Sequence, residues 1–313
     1  MSWEQLGDHA AKIQQSAIIM DLRQRGFGYD KGRVYDSSMT DEQVQTVVDI
    51  TAGRFAGVAA MFDPFIKTAD PAGFDRLSER LATEVAHWLN AGQGKGGTEM
   101  AANPDLGRMD DVKNLVEPWF GAAAVNFRDN FLSKWPGITA NQFLLIMILK
   151  GAAEAEAGVW RAARASIDDI AHKAQAALDA MLDCNPKDLA FLLTVAGSIG
   201  AVGGFVTTGG LSLTLTVLGE VSASAGAIPF GDKKELPFSG KNAMAIVNAV
   251  QGAITELIGQ VIAAENKILE SLNAGLSAVA GSSDLFIAPR PALADATPAT
   301  IRDETAGLGT ALG

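Results

Sequence analysis

Three histidines and one cysteine are the side chains of this sequence best suited to hold a transition metal or pass a proton near neutral pH: His9, His87, His172 and Cys184. No histidine has a second His or Cys at the short spacing of a metal site, so each reads as a helix-surface or satisfied core residue, and no metal is expected. A lone cysteine can form no intrachain disulfide; Cys184 reads as a free, buried thiol. Gly92, Gly94 and Gly97 match G-x-G-x-x-G, a spacing that can cradle a pyrophosphate, but they follow a helical pattern instead of a strand and read as linker. Neither FSGKN nor GQGKGG carries the first glycine of a P-loop, and no G-x-S-x-G nucleophile elbow occurs. Neighbouring carboxylates such as Asp110 and Asp111, or Asp168 and Asp169, stand about 100° apart around a helix, and solvated faces account for them. No catalytic or cofactor-binding set emerges, so the chain reads as non-enzymatic and without a cofactor.

The elements that would position any site are mainly helical. Of 313 residues 48% are hydrophobic while 7% are aromatic, a mix dominated by Ala, Leu, Ile and Val that suits close-packed helices. The net charge of −11, with no run of Lys and Arg to reverse it locally, argues against nucleic acid as a partner. The start, MSWEQLGDHAAKIQ, lacks the basic and apolar regions of a secretory signal, so any export is expected to proceed without a cleaved one.

Residues 3–24 read as a helix and RGFGYDKGRVYDSS as a loop or short hairpin. Thr40 and Gln43 then form a capping-box pair opening a helix that should reach about Met61. Phe74, Leu77, Leu81, Val85 and Trp88 recur at helical spacing and close an N-terminal helical region, 1–91. A glycine-rich linker, 92–107, follows. Region 108–280 holds helices over 109–119 and 122–135, an interruption at Pro136 and Gly137, and a helix over 138–182, about 65 Å long, with Phe143, Ile146, Ala153, Trp160, Ile167, Ile170, Ala174, Leu178 and Met181 on one side. Its counterpart, 242–280, carries a stripe of Val247, Val250, Ile254, Leu257, Val261, Ala264 and Ile268, and the two long helices are expected to pair antiparallel. The tail, 281–313, shows little periodicity and reads as mobile.

Between the first helices of region 108–280, Trp119, Gly121, Ala123, Ala124 and Phe127 spell W-x-G-x-A-A-x-x-F. Gly121 can take a bend without Cβ cost, the alanines allow close approach, and Trp119 and Phe127 can cover the junction. KWPG, at 134–137, is a second W-x-G without the alanine pair, and Trp135 reads as a corner residue. The longer pattern, within DVKNLVEPWFGAAAVNFRDNF, resembles the WxG helical-hairpin family of type VII (ESX) secretion substrates of Gram-positive, especially actinobacterial, cells. The order of elements from about Asp105 to Ala280 is similar to longer ESX-associated members in which the hairpin precedes a Gly/Ala-rich apolar stretch. The resemblance implies recognition through Trp119, Gly121 and Phe127, partnership with the ESX secretion machinery, and a secreted or cell-envelope location. One departure is plain: the family's Y-x-x-x-D/E element would follow the hairpin, and the only tyrosines, Tyr29 and Tyr35, precede it with Arg33 and Met39 four residues on.

From Leu189 to Gly219 no residue is charged, a length beyond the 20 or so needed to span a bilayer as a helix. LAFLLTVAGSIGAVGGFV is helix-compatible, whereas LSLTLTVL alternates like a strand. This apolar hairpin, helical or short β, either folds back into the core or contacts a membrane or an oligomer interface through Leu192, Phe205, Leu211, Leu213, Leu215 and Val217. The expected fold is therefore a mainly α, elongated antiparallel helical bundle with a WxG helix-turn-helix and an apolar insertion between two long helices. The expected function is a type VII secretion substrate or secretion-associated protein acting by self-assembly or by binding a helical partner chain. A membrane-inserting pore-forming effector and a cytoplasmic helical scaffold are the alternatives.

Overall fold

The computed structural model describes residues 3–68, 70–90, 102–182, 189–193, 234–238, 242–288 and 297–300. The described chain is mainly helical, as composition requires. It divides into two units: Met1–Gly73 with Glu156–Ile199 and Pro229–Asn266, and Phe74–Ala155 with Gly200–Ile228 and Lys267–Gly313.

The first unit opens with α1 (Leu6–Gln24), which buries Leu6, His9, Ala10, Ile13, Ala17 and Met20 along one stripe. A hairpin follows, β1 (Gly28–Asp30) and β2 (Arg33–Tyr35), in the register Gly28↔Tyr35, Tyr29↔Val34 and Asp30↔Arg33. Its two-residue loop places Lys31 at φ 46° and Gly32 at φ 86°, the left-handed pair that lets a tight turn follow the twist of its strands. Helix α2 (Asp41–Phe55) starts on the expected capping box: Gln43 N–H donates to Thr40 Oγ1 at 3.3 Å and Thr40 N–H donates to Gln43 Oε1 at 2.9 Å. It stops at Phe55, short of Met61, and a 3-10 turn (Ala59–Phe62) and α3 (Asp63–Ile66) continue. Leu22, Phe27 and Val44 form a core under the hairpin, and Asp21 takes Arg25 at 2.8 Å and Arg54 at 3.0 Å, joining α1 to α2.

Helix α4 (Pro71–Arg80), in the second unit from Phe74 on, runs into a π-helical stretch, Leu81–Ala86, and α5 (His87–Leu89). Here the expected stripe does not face inward: Leu77, Val85 and Trp88 are exposed, while Ser78 and Ala86 are buried. The wider π turn takes more residues per turn than an α-helix, so an apolar face counted at α spacing does not carry through it to Val85 and Trp88; Leu77 lies before it, on the exposed side of α4. Asn103 ties this segment to the next, its N–H reaching Asn90 O at 2.7 Å and its side-chain amide reaching Trp88 O at 3.1 Å. With its other side-chain atom Asn103 caps α6 (Pro104–Val116), which begins inside the stretch read as linker.

Helix α7 (Ala122–Phe127) passes through a π-helical stretch, Arg128–Leu132. Helix α8 (Trp135–Leu182) starts before Pro136 and Gly137 instead of after them. Of its expected stripe, Phe143, Ala153, Ile167, Ile170, Ala174 and Leu178 are buried, while Ile146, Trp160 and Met181 are half-buried. Helix α9 (Ala243–Gly281) buries Val247, Val250, Ile254, Leu257, Val261, Ala264 and Ile268, the whole expected stripe. By length and composition α9 could also cross a membrane. Within the second unit Ile148 of α8 lies against Gly275 of α9, and within the first the charge of Glu265 on α9 acts on Glu156 of α8. After α9, Leu285 O and Phe286 O accept from the side-chain amides of Asn141 and Gln142 at 2.8 and 2.7 Å.

Residues 189–193 are extended, where the sequence allowed helix. They form β3 (Leu189–Leu193), antiparallel to β4 (Lys234–Phe238), with Leu192 opposite Glu235 and Leu193 opposite Lys234.

Candidate functional site

The W-x-G corner is built by the end of α6 and the start of α7. Trp119 N–H donates to Val116 O at 2.9 Å, closing the last turn of α6. Gly121 then takes φ 99° and ψ 165°, a backbone region essentially reserved for glycine, and its carbonyl receives Ala124 and Val125 N–H at 3.1 Å to begin α7. Arg128 clasps the corner from the far side, donating from Nη1 to Glu117 O at 3.1 Å. Ala124 is buried, as close approach requires, whereas Trp119 is 57% exposed and its neighbour Phe120 is 93% exposed. Phe127 is half-buried and does not share the cover of the junction equally with Trp119: its ring stacks on Phe131 at 5.3 Å, and Phe131 in turn meets Trp135 at 5.6 Å. The corner therefore presents an aromatic pair to solvent and keeps its internal aromatic packing beyond the end of α7. Phe120 was not singled out in the sequence, because the x of W-x-G has no signature of its own.

Of the apolar contact residues, Leu192 lies in β3, and Phe205, Leu211, Leu213, Leu215 and Val217 lie outside the described residues. Cys184 lies outside them as well. His87 sits edge-on to Trp88 at 5.6 Å.

The other two histidines come together. His9 occupies the buried stripe of α1 and His172 lies on α8, with ring centroids 4.6 Å apart in an edge-to-face pair. On α8 Asp168 stands one turn before His172, whose Nδ1 is 2.8 Å from the Asp168 carbonyl oxygen and 3.5 Å from carboxylate Oδ2. One donor atom from each of His9, Asp168 and His172 lies within 4.8 Å of the others. His9 Nδ1 and Asp168 Oδ1 are buried without a hydrogen-bond partner. Burial pushes the His9 pKa below its ordinary 6.5, and His172, the amino terminus and Lys12 add to this while Asp168 opposes it. Close by on the same faces, Gln175 of α8 donates to Ser16 of α1 at 2.9 Å, and Arg23 donates to the Leu182 carbonyl at 3.1 Å, so α1 and this part of α8 run in the same direction. None of the histidines has a second His or Cys close in the chain, and this group is assembled by packing. Two signals were present: His9 falls in register with Leu6, Ile13 and Ala17, and Asp168 and His172 have the i, i+4 spacing of one helix face.

A second pair of titratable groups, Glu156 and Glu265, lies on the two long helices. Burial raises the pKa of both, and the charge of Glu265 raises that of Glu156 further. Comparison of the chain with protein-family models, with curated proteins and with solved structures gave no match.

Proposed function

We propose that this chain is a non-enzymatic helical protein of the W-x-G type, exported by or associated with a type VII secretion system, which works by docking its corner onto a helical partner chain or the secretion machinery. The observation that carries the reading is the corner itself: Gly121 at φ 99° holds Trp119 and Phe120 outward, more than half exposed, while Arg128 fixes the turn. An isolated chain gains nothing by holding two large aromatics in water. A partner that covers them gains on the order of 1.5–3 kcal/mol for each ring fully buried, and the preformed bend spares it the cost of ordering that surface. The finer architecture in this reading has α8 and α9 as antiparallel partners, which the descending order of Ile148 with Gly275 and Glu156 with Glu265 supports. It also has the WxG helix-turn-helix as an independent docking element, supported by the placement of α6 and α7 on either side of Gly121.

The test is Trp119→Ala combined with Phe120→Ala, read by circular dichroism, by thermal unfolding and by fractionation of a host that carries the secretion system. Both rings are exposed, so stability should change by less than about 1 kcal/mol. Export or partner capture should be lost. Unchanged export with unchanged partner capture would remove the corner from recognition and end this reading.

A further inference from the structure

We propose that His9, Asp168 and His172 form a two-histidine, one-carboxylate site for a divalent transition metal, with zinc as the reference ion, clamping α1 to α8. Three features of the first unit point to a cation. The donors are two imidazoles and a carboxylate, the set that borderline metals prefer and that magnesium or calcium does not select. Two atoms on these side chains, His9 Nδ1 and Asp168 Oδ1, are buried with no hydrogen-bond partner, a desolvation cost that a cation held by the same side chains would offset. The third is the orientation of His172: with its Nδ1 against the Asp168 carbonyl, an N–H at that position leaves the lone pair on Nε2, and a backbone carbonyl is a common partner for the far nitrogen of a metal-bound histidine.

The distances fit with a small adjustment. A tetrahedral ion with bonds near 2.0–2.1 Å has ligand-to-ligand edges of about 3.3 Å, so a group whose atoms lie within 4.8 Å of one another must draw in by at most about 1.5 Å. His172 and Asp168 keep 44% and 29% of their side-chain surface and have room to turn; His9 is the fixed member. That exposure also leaves a water as the fourth ligand and an entry path. His9 holds a neutral ring readily, because burial, His172, the amino terminus and Lys12 all act against its proton. The amino terminus and Lys12 also oppose a cation and only Asp168 among the three ligands offsets them, which favours a site of moderate affinity over a permanent structural one.

Titration of the purified full chain with zinc chloride by calorimetry should give one ion per chain, with release of protons and weaker binding as the pH falls through the imidazole range. Zinc should raise the unfolding midpoint, and magnesium at the same concentration should not. Because His9 is part of the buried stripe of α1 and its removal also opens the core, the decisive variants are His172→Ala and Asp168→Asn, on the open side of the group, each checked by circular dichroism. Each should weaken zinc binding tenfold or more and abolish the thermal shift, while His87→Ala should leave both unchanged. No zinc binding, equal binding of magnesium, or zinc affinity unaltered in both decisive variants would overturn the site.

Discussion

Gly121 and Gly53 make a pair of opposite cases at the scale of the residue. Gly121 sits at φ 99° and ψ 165°, where a Cβ is strained whatever the space around it, so Gly121→Ala should cost about 1–3 kcal/mol. Gly53 lies exposed inside α2 with open space where its Cβ would be, so Gly53→Ala should add up to about 1 kcal/mol. Urea unfolding of the two variants measures both signs, and equal shifts would mean that Gly121 does not hold the bend. The importance of Gly121 was legible because the demand is local: a glycine between a helix end and an alanine pair must supply the turn. His9 was harder to read. Its partners lie on a helix more than a hundred residues away, and only its place in the apolar stripe of α1 marked it as a buried polar residue in need of company.

Among the elements, those set by their own sequence were read best. The capping box of α2 was predicted from Thr40 and Gln43 and is present with both hydrogen bonds, neither of which needs tertiary support. Thr40→Ala should lower stability by about 1 kcal/mol, and Gln43→Ala by less, since the Thr40 side chain still serves one orphan N–H. A loss confined to the helix signal, with the midpoint unmoved, would show that α2 is held by its buried face alone. The α9 stripe was read in full because a pattern kept over 39 residues outweighs local irregularities. Two helices start earlier than the sequence suggests, α6 inside the glycine-rich stretch and α8 ahead of the interruption expected at Pro136 and Gly137. In α6 Pro104 follows the capping Asn103, and in α8 Pro136 stands in the first turn, where its missing N–H costs nothing. The β3–β4 ladder was out of reach, because five apolar residues fit strand or helix equally well and the pairing partner comes forty residues later.

For the molecule as a whole, the acidic balance of −11 sets the background, and the half-buried glutamate pair and the buried His9 set how stability should depend on pH. Glu156 and Glu265 have pKa values raised above 4.5 by burial, so between that value and their folded ones the folded chain holds more protons than the unfolded chain. Their contribution is therefore fully present below about pH 4.5 and lost as the pH rises through the folded values. His9 works in the other direction. Its folded pKa lies below 6.5, so its contribution is present above that pH and lost as the pH falls through the folded value. The wild-type profile is the difference of two opposed slopes, and single substitutions should separate them. Glu156→Gln with Glu265→Gln should stabilise the chain at neutral pH, with an advantage that shrinks to nothing near pH 4.5. His9→Gln, whatever it does to absolute stability, should flatten the fall below pH 6.5. Changes in overall charge repulsion act on every variant nearly alike and drop out of the comparison. Urea unfolding of the metal-free chain across pH 4.5–8 measures both effects. An advantage of the double glutamine variant that is the same at both ends of that range would mean that the two carboxylates titrate alike in the folded and unfolded chain, and that their burial does not penalise their charge.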